Sequence, residues 1–151
     1  MQKILTAALA GALLAMPLVA DAGTSVKAPL VVATVNRATQ EMTVTVGAGD
    51  DTQTYGPWKV STARAPYKTP AGTYPAAWLS EHHWSKEYHA PMPFAVFFNA
   101  GRAVHAATRG EYAKLGTPAS HGCVRTSLEH AQIFFELVKT YGKENAAVVV
   151  Q

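Results

Sequence analysis

The sequence contains one cysteine, Cys123, in the segment ASHGCVRTS that spans residues 119–127. The thiolate is the nucleophilic form of cysteine, so a reactive thiol needs a pKa lowered from about 8.5 or a base that takes its proton. A histidine within hydrogen-bonding distance can accept this proton and later return it to a leaving amine. His121 and His105 are the two candidates for that role. A cysteine near an imidazole therefore indicates acyl transfer, with an inert buried cysteine as the alternative.

The two histidines differ in how they can approach the thiol. In an extended segment, side chains two residues apart share a face of the strand but lie about 7 Å apart. His121 is therefore expected to line the site without bonding readily to Cys123. His105 lies 18 residues before Cys123, at the end of a predicted strand, and can approach from a neighbouring strand. We predict His105 as the base, with a purely structural histidine as the alternative.

The residues next to Cys123 could support the same chemistry. Gly122 has no Cβ, so the backbone can approach a substrate closely, and the N–H groups of Gly122 and Cys123 could stabilise an oxyanion. Ser120 could line this site, or it could simply cap a turn. If the chain is extended, Arg125 shares a face with Cys123, and its guanidinium suits a substrate carboxylate. A surface ion pair is an equal alternative for Arg125.

Predicted strands position these residues. Runs that are rich in β-branched or alternating apolar residues, and bounded by glycine, proline or asparagine, are typical of strands and hairpins. Strands are predicted at residues 30–36, 40–46, 55–62, 73–79, 94–98, 102–106 and 146–150. Gly56 and Pro57 would disturb pairing, so the third strand is better defined from Trp58 onwards. Residues 99–101 (NAG) are expected to form the tight turn before the strand that carries His105.

One helix is predicted, over residues 128–141. Ser127 is a suitable N-cap, apolar side chains recur on one broad face, and Gly142 fits the position that follows a helix. Residues 109–115 could form a helical turn. Residues 80–93 are polar and aromatic and are expected to form an irregular excursion, a kind of loop that is often functional. The chain is thus predicted to be mostly β, with one clear helix late in the sequence.

Residues 1–22 have the pattern of a secretory signal peptide. Lys3 precedes a mostly apolar run that ends in an A-x-A cleavage pattern at residues 20–22. The run is short for a membrane span, which needs about 20 residues, and an N-terminal anchor is the alternative. Cleavage would leave one soluble domain, residues 23–151. We expect this domain to be exported to the periplasm, with the cell wall as the alternative location.

The charge and the histidine content of the sequence argue against two other functions, nucleic-acid binding and metal binding. The net charge is +3, but the sequence has no dense cluster of lysine or arginine, so nucleic-acid binding is not expected. His82, His83 and His89 could imitate a zinc site together with other histidines. Neighbouring histidines rarely bind one ion together, so we predict no metal and no cofactor.

Taken together, these segments resemble the L,D-transpeptidase catalytic domain, also called the YkuD domain. The signature of that family is a histidine followed, after a gap, by Ser/Thr-His-Gly-Cys, an apolar residue, and Arg or Asn. The matching residues are His105, Ser120, His121, Gly122, Cys123, Val124 and Arg125. Further matches lie at residues 60–62 (VST), 69–74 (TPAGTY), 91–94 (PMPF) and 115–119 (LGTPA). The resemblance spans residues 28–150, nearly the whole predicted domain.

The resemblance implies a fold and an activity. The expected fold is mainly β, an L,D-transpeptidase-like curved sheet or sandwich with one main helix near the C-terminus and the cysteine and histidine in a groove. The expected enzyme is a cysteine-dependent L,D-transpeptidase that acts on peptidoglycan tetrapeptide stems through a Cys123 thioester. His105 would accept and donate the proton. Ala106, where glycine or serine is usual, would orient His105 through its backbone carbonyl.

Partners and alternative functions follow from the same resemblance. Cross-linking, lipoprotein anchoring and D-amino-acid exchange all belong to this class of reaction. The expected partners are therefore peptidoglycan stem peptides and, as one option, a lipoprotein acceptor, with the enzyme as a monomer. One alternative is a hydrolase of the same fold that cleaves wall cross-links or lipoprotein anchors. Another is a non-catalytic cell-wall-binding protein that keeps the shape of the site.

Overall fold

The computed structural model describes residues 30–151 of the chain. The signal peptide predicted at residues 1–22 lies outside the described residues and stays a prediction. Between residues 30 and 151, no helix has the length and apolar character that a membrane crossing requires.

Residues 30–151 fold into two β-sheets and one α-helix. The strands are β1 Val31–Asn36, β2 Glu41–Ala48, β3 Asp51–Lys59, β4 Gly72–Pro75, β5 Trp78–Ser85, β6 Ala90–Asn99, β7 Arg102–Ala106, β8 Val124–Thr126 and β9 Ala146–Val150. The α-helix is α1, Leu128–Tyr141, and two short 3₁₀ helices span Arg109–Lys114 and Lys143–Asn145. The first sheet has the order β3-β2-β1-β9-β4, and the second has the order β5-β6-β7-β8. The predicted fold class, mainly β with one main helix late in the chain, is confirmed.

Two pairs of neighbouring strands are parallel, and the others are antiparallel. β1 pairs antiparallel with β2 and parallel with β9. β6 is antiparallel to both β5 and β7, whereas β7 is parallel to β8. Parallel neighbours need a long connection. Residues 107–123 supply it between β7 and β8, and they return the chain so that Cys123 arrives beside the strand that carries His105.

Local sequence explains the elements that were predicted best. In β1, every second residue from Val31 to Val35 is fully buried, which is the alternation of a strand that faces the core on one side. Helix α1 begins after Ser127, whose Oγ accepts a hydrogen bond from the His130 N–H at 3.2 Å. It ends at Tyr141 and is followed by Gly142, whose φ of 86° lies in the left-handed region that favours glycine.

The second sheet separates two apolar surfaces. Val96 and Val104 join the main core, which contains residues from both sheets and from α1. Their neighbours Phe97 and Ala103 belong to a smaller cluster, because successive side chains of a strand point to opposite faces. Cys123 packs against this smaller cluster. The thiol therefore lies on the face of the second sheet that is turned away from the main core.

The segment 80–93 is not the irregular excursion that the sequence predicted. It forms most of a β-hairpin, in which β5 ends at Ser85 and β6 begins at Ala90. His83 lies opposite Met92 in the register of this hairpin. Most of β5 is exposed or half-buried, so its polar side chains lack the apolar alternation by which a strand is recognised in a sequence.

Other predicted strand boundaries also differ from the structure. The strand predicted at residues 73–79 is two strands in different sheets, β4 Gly72–Pro75 and β5, which starts at Trp78. The strand predicted at residues 55–62 covers Asp51–Lys59 instead. The first error arises because the two strands have different partners: β4 pairs with β9, and β5 pairs with β6. The local sequence of residues 73–79 does not reveal these partners.

The core makes a simple prediction for α1. Phe134 is the largest fully buried side chain of the described chain. We expect Phe134→Ala to lower the free energy of unfolding by about 3–5 kcal/mol, because apolar contacts are lost and a cavity is left. Leu128 lies on the same helix but is 48% exposed, so Leu128→Ala should cost less than about 1 kcal/mol. Urea unfolding followed by circular dichroism measures both values, and equal losses would contradict the packing of α1.

Candidate active site

The pairing of β7 with β8 brings the candidate catalytic residues together. His105 lies opposite Arg125 in the parallel register. Cys123 comes two residues before Arg125 and packs against Ala103, which is two residues before His105. Since alternate residues of a strand share a face, Cys123, His105 and Arg125 occupy one face of the sheet. Val104, which lies between Ala103 and His105 in β7, belongs to the main core on the other face.

A cavity of about 240 Å³ opens on this face of the second sheet. Its wall includes five of the residues that the sequence singled out: His105, His121, Gly122, Cys123 and Arg125. The tip of the β5–β6 hairpin and the β6–β7 turn also border the cavity. Ser120 and Ala106, which were predicted as site residues, are fully buried and lie outside this wall. Their contribution to the site is therefore through hydrogen bonds and not through contact with a ligand in the cavity.

A backbone carbonyl orients His105. Its Nδ1 lies 2.8 Å from the carbonyl oxygen of Ala106. A carbonyl can only accept, so Nδ1 carries the hydrogen and donates, which leaves Nε2 as the nitrogen that can take a proton. This is the contact that the family resemblance implied for Ala106. Because it uses only the backbone, alanine can stand where glycine or serine is usual.

The thiol and the imidazole are both held in their neutral forms. Burial lowers the pKa of His105 from 6.5 to about 4, and the hydrogen bond to Ala106 opposes this effect only in part. Burial also raises the pKa of Cys123, although a backbone hydrogen bond and two nearby guanidinium groups act in the opposite direction. At neutral pH the pair is therefore a thiol and an uncharged imidazole. His105 can therefore accept the proton of the Cys123 thiol, and this proton has to be transferred as the sulfur attacks.

Hydroxyl groups fix the loop before Cys123. Ser120 Oγ donates to the carbonyl oxygen of Cys123 at 2.6 Å and accepts from the Gly122 N–H at 3.0 Å. Thr69 Oγ1 donates to the Gly122 carbonyl at 2.9 Å and accepts from the Ala63 N–H at 3.0 Å. These bonds satisfy backbone groups that burial removes from water. The Gly122 N–H is thus already engaged, so only the Cys123 N–H is left of the two predicted oxyanion donors.

Arg125 forms an ion pair, which was one of its two predicted roles. Its Nη2 lies 3.0 Å from Glu111 Oε1, and the two side chains are only 16% and 22% exposed. Glu111 also accepts hydrogen bonds from the N–H and the hydroxyl of Thr108. Burial tends to raise the pKa of Glu111, but these hydrogen bonds and the Arg125 charge lower it overall. Sequence reasoning missed Glu111, for which the T-x-x-E pattern of a capping box was the available signal.

His121 is held by groups on the outer side of the cavity. Its Nε2 lies 2.7 Å from Arg64 Nη2, and a guanidinium can only donate, so Nε2 is the acceptor. The Tyr88 ring, at the tip of the β5–β6 hairpin, stacks on the imidazole at 4.9 Å, and the Tyr67 ring meets it edge-on at 4.5 Å. Desolvation and the Arg64 charge lower the pKa of His121. These contacts favour the lining role that we predicted for His121 over a role as the base.

The remaining histidines are not arranged as a metal site. Across residues 30–151, no group of three or more His, Cys, Asp or Glu side chains has a geometry that could hold a metal ion. His83 instead meets the rings of Trp78 and Phe97 edge-on, at 5.4 Å and 4.9 Å. The ring of Trp78 stacks on Phe97 at 3.7 Å. The histidine-rich strand β5 is thus partly an aromatic cover for the sheet.

The burial of His105 predicts a pH dependence of stability. Because folding lowers its pKa from 6.5 to about 4, the unfolded chain binds this proton more readily than the folded chain. Stability from this residue is fully present above pH 6.5 and is lost as the pH falls towards 4, by roughly 3 kcal/mol. Urea unfolding of wild type and His105→Gln across this pH range isolates the effect, because the other groups titrate in both proteins. Parallel pH profiles would contradict a buried neutral imidazole.

Gly122 offers a second test of the site. Its φ is 145°, and a Cβ would lie 3.0 Å from Arg102 Nε and 3.4 Å from the Lys68 carbonyl. We expect Gly122→Ala to lower the free energy of unfolding by about 1–3 kcal/mol, because of backbone strain and crowding. Gly110 has open space at the same position, so Gly110→Ala should be neutral or slightly stabilising. Thermal unfolding compares the two variants, and a Gly122→Ala protein as stable as Gly110→Ala would refute the crowded geometry.

Solved structures of L,D-transpeptidases share this fold. The enzyme from Mycobacterium smegmatis has a TM-score of 0.68 and 20% identity, covering 82% of this chain and 59% of that one. An L,D-transpeptidase from Stackebrandtia nassauensis has a TM-score of 0.67 and 23% identity, covering 87% and 61%. L,D-transpeptidase 3 from Mycobacterium tuberculosis, in complex with a faropenem-derived adduct, has a TM-score of 0.67 and 21% identity, covering 82% and 60%. This chain therefore spans only 59% to 61% of the length of these structures.

The sequence comparisons identify the family. No curated protein sequence matches the chain significantly. The family model of the L,D-transpeptidase catalytic domain, YkuD, matches residues 31–150, which include every residue of the site described above. The chain belongs to the YkuD family of L,D-transpeptidase catalytic domains.

Proposed function

We propose that this chain is a cysteine-dependent L,D-transpeptidase that acts on peptidoglycan tetrapeptide stems. The observation that carries the proposal is the cavity that Cys123 shares with His105, whose Nδ1 is tied to the Ala106 carbonyl. This arrangement leaves Nε2 free to take the proton of an attacking thiol. Family membership supports the substrate class.

In the first half-reaction, Cys123 Sγ attacks the carbonyl carbon at the L-centre of the diamino acid in the stem. His105 Nε2 takes the thiol proton as the C–S bond forms, and the Cys123 N–H stabilises the oxyanion. The C–N bond to the terminal D-alanine then breaks, and His105 returns its proton to the leaving amine. The products are a thioester on Cys123 and free D-alanine.

In the second half-reaction, an amine attacks the thioester. A new C–N bond forms as the C–S bond breaks, and His105 passes the amine proton to the thiolate of Cys123. An amine from a second stem gives a cross-link, a lipoprotein lysine gives a wall anchor, and a free D-amino acid gives exchange. Water in place of the amine gives hydrolysis, which is the alternative function within the same fold.

The neutral resting pair suits an enzyme outside the cytoplasm. Burial raises the pKa of Cys123, so the thiol stays protonated at neutral pH. Oxidants attack thiolates much faster than thiols. The thiol of Cys123 is therefore protected from oxidation until a substrate carbonyl is bound and His105 takes the thiol proton.

The proposal extends to location. Residues 1–22 have the pattern of a secretory signal peptide, and peptidoglycan lies outside the cytoplasmic membrane. We therefore assign residues 23–151 to the periplasm, as a monomer that meets stem peptides and lipoproteins there. Detection of the full-length chain in the cytoplasmic fraction alone would contradict this assignment.

Faropenem provides a direct test of the nucleophile. A relative with the same fold has been solved with a faropenem-derived adduct. We expect faropenem to acylate Cys123, because opening of its ring repeats the attack on a carbonyl with a nitrogen leaving group. Intact-mass spectrometry should show one adduct on the wild type and none on Cys123→Ala, and peptide mapping should locate it at residue 123. A folded wild-type protein that forms no adduct would contradict the proposal.

Purified stem peptides distinguish transfer from hydrolysis. With tetrapeptide donor and an amine acceptor, we expect new dimers from the wild type and a loss of roughly a thousandfold or more in Cys123→Ala. Chromatography of the products measures both. Loss of existing cross-links without new dimers would replace the transpeptidase by the hydrolase. Turnover that survives Cys123→Ala would overturn the thioester mechanism, and a wild type without any turnover would favour a wall-binding protein.

A further inference from the structure

Arg102 is the first residue of β7 and lines the cavity beside Cys123. We propose that Arg102 binds a carboxylate of the donor stem peptide and thereby selects that substrate, an inference that rests on the proposed function. The sequence patterns gave Arg102 no role and pointed to Arg125 for this contact.

The charges around the cavity favour Arg102 over Arg125. The cavity wall contains two glutamates and two arginines, of which Arg125 and Glu111 neutralise each other in an ion pair at 3.0 Å. Glu87 lies in the β5–β6 turn, whereas Arg102 follows the β6–β7 turn at the other end of β6. Among residues 30–151, no carboxylate lies within ion-pairing distance of Arg102. Arg102 therefore presents a positive charge to the cavity without an anionic partner from the described chain.

Backbone contacts hold the Arg102 guanidinium beside the reactive loop. Its Nε donates to the Lys68 carbonyl at 3.2 Å. A Cβ on Gly122 would come within 3.0 Å of the same nitrogen, so the guanidinium packs against the residue that precedes Cys123. With Nε engaged, the terminal nitrogens Nη1 and Nη2 are left to donate to a ligand. A planar pair of N–H donors matches the two oxygen atoms of a carboxylate.

The proposed donor carries carboxylates close to the reacting carbonyl. The terminal D-alanine has its carboxylate one residue beyond the bond that Cys123 attacks. The diamino acid has a second carboxylate, on its D-centre. Both share the same chemistry, and a charge-assisted hydrogen bond to either would strengthen binding by roughly tenfold to a hundredfold.

A matched pair of thiol reagents tests the anion site without any assumption about the natural reaction. Iodoacetate and iodoacetamide both alkylate a thiolate with loss of iodide, but only iodoacetate carries a carboxylate. We expect the ratio of their rates at Cys123, normalised to free cysteine, to fall about tenfold in Arg102→Gln. Arg102→Lys, which keeps the charge but not the planar donors, should recover part of the ratio. A change in the pKa of the thiol affects both reagents equally, so it cancels from the ratio.

Arg109→Gln is the matched control for this experiment. Arg109 is exposed and lies outside the cavity wall, so the same chemical change there should leave the ratio at its wild-type value. Thermal unfolding verifies that each variant is folded, and Arg102→Lys supplies the comparison if Arg102→Gln is not. A ratio that stays at the wild-type value in the folded Arg102 variant overturns the proposal.

Amidated donors identify which carboxylate is bound. With the unmodified tetrapeptide, Arg102→Gln should raise KM about tenfold or more, with a smaller change in kcat. Amidation of the carboxylate that Arg102 binds should remove this difference between wild type and variant, and amidation of the other should preserve it. A difference that survives both amidations overturns the proposal. If Arg102→Gln changes the reagent ratio but the wild type turns over no stem peptide, the result would contradict the proposed function and support the anion site.

Discussion

The parallel pairing of β7 with β8 is the constraint on which the candidate site depends. It sets His105 opposite Arg125 and leaves Cys123 on the same face of the sheet, just before β8. A slip of one residue would turn every side chain to the opposite face, so the register needs a strong determinant. Val104 and Val124 supply it, since they lie opposite each other and are fully buried in the main core. Apolar packing on one face of the sheet thus keeps the chemistry of the other face in place.

Backbone atoms provide much of the polar support for this site. His105 is oriented by the carbonyl of residue 106, and Arg102 is held by the carbonyl of residue 68. Ser120 and Thr69 in turn bond to the backbone of the Gly122–Cys123 loop. A backbone partner places little demand on the side chain at its position, which is why Ala106 can replace the residues usual in the family. The support of such a site is therefore hard to recognise from residue types alone.

Sequence patterns revealed the features that are encoded locally. Helix α1 was predicted with its correct ends, because capping residues and helical periodicity act within a few positions. Cys123 and His105 were recognisable by type and spacing. The segment 80–93 was misjudged because β5 is ordered by its pairing with β6 and not by a buried face of its own. Arg102 is placed by a contact with Lys68, and the pairing of Glu111 with Arg125 is likewise a contact between distant segments. The sequence has no pattern for such contacts, although the capping box of Glu111 with Thr108 is a local one.

Strand β9, at the end of the described chain, lies inside the first sheet between β1 and β4. Its first residue, Ala146, pairs with Val31 at the start of β1, and β4 reaches the sheet only through β9. The sheet cannot close while residues 146–150 are still within the ribosome, so a growing chain lacks the completed domain until synthesis has passed them. Contacts between such distant segments also form slowly. The nascent chain therefore keeps the first sheet open until β9 has left the ribosome.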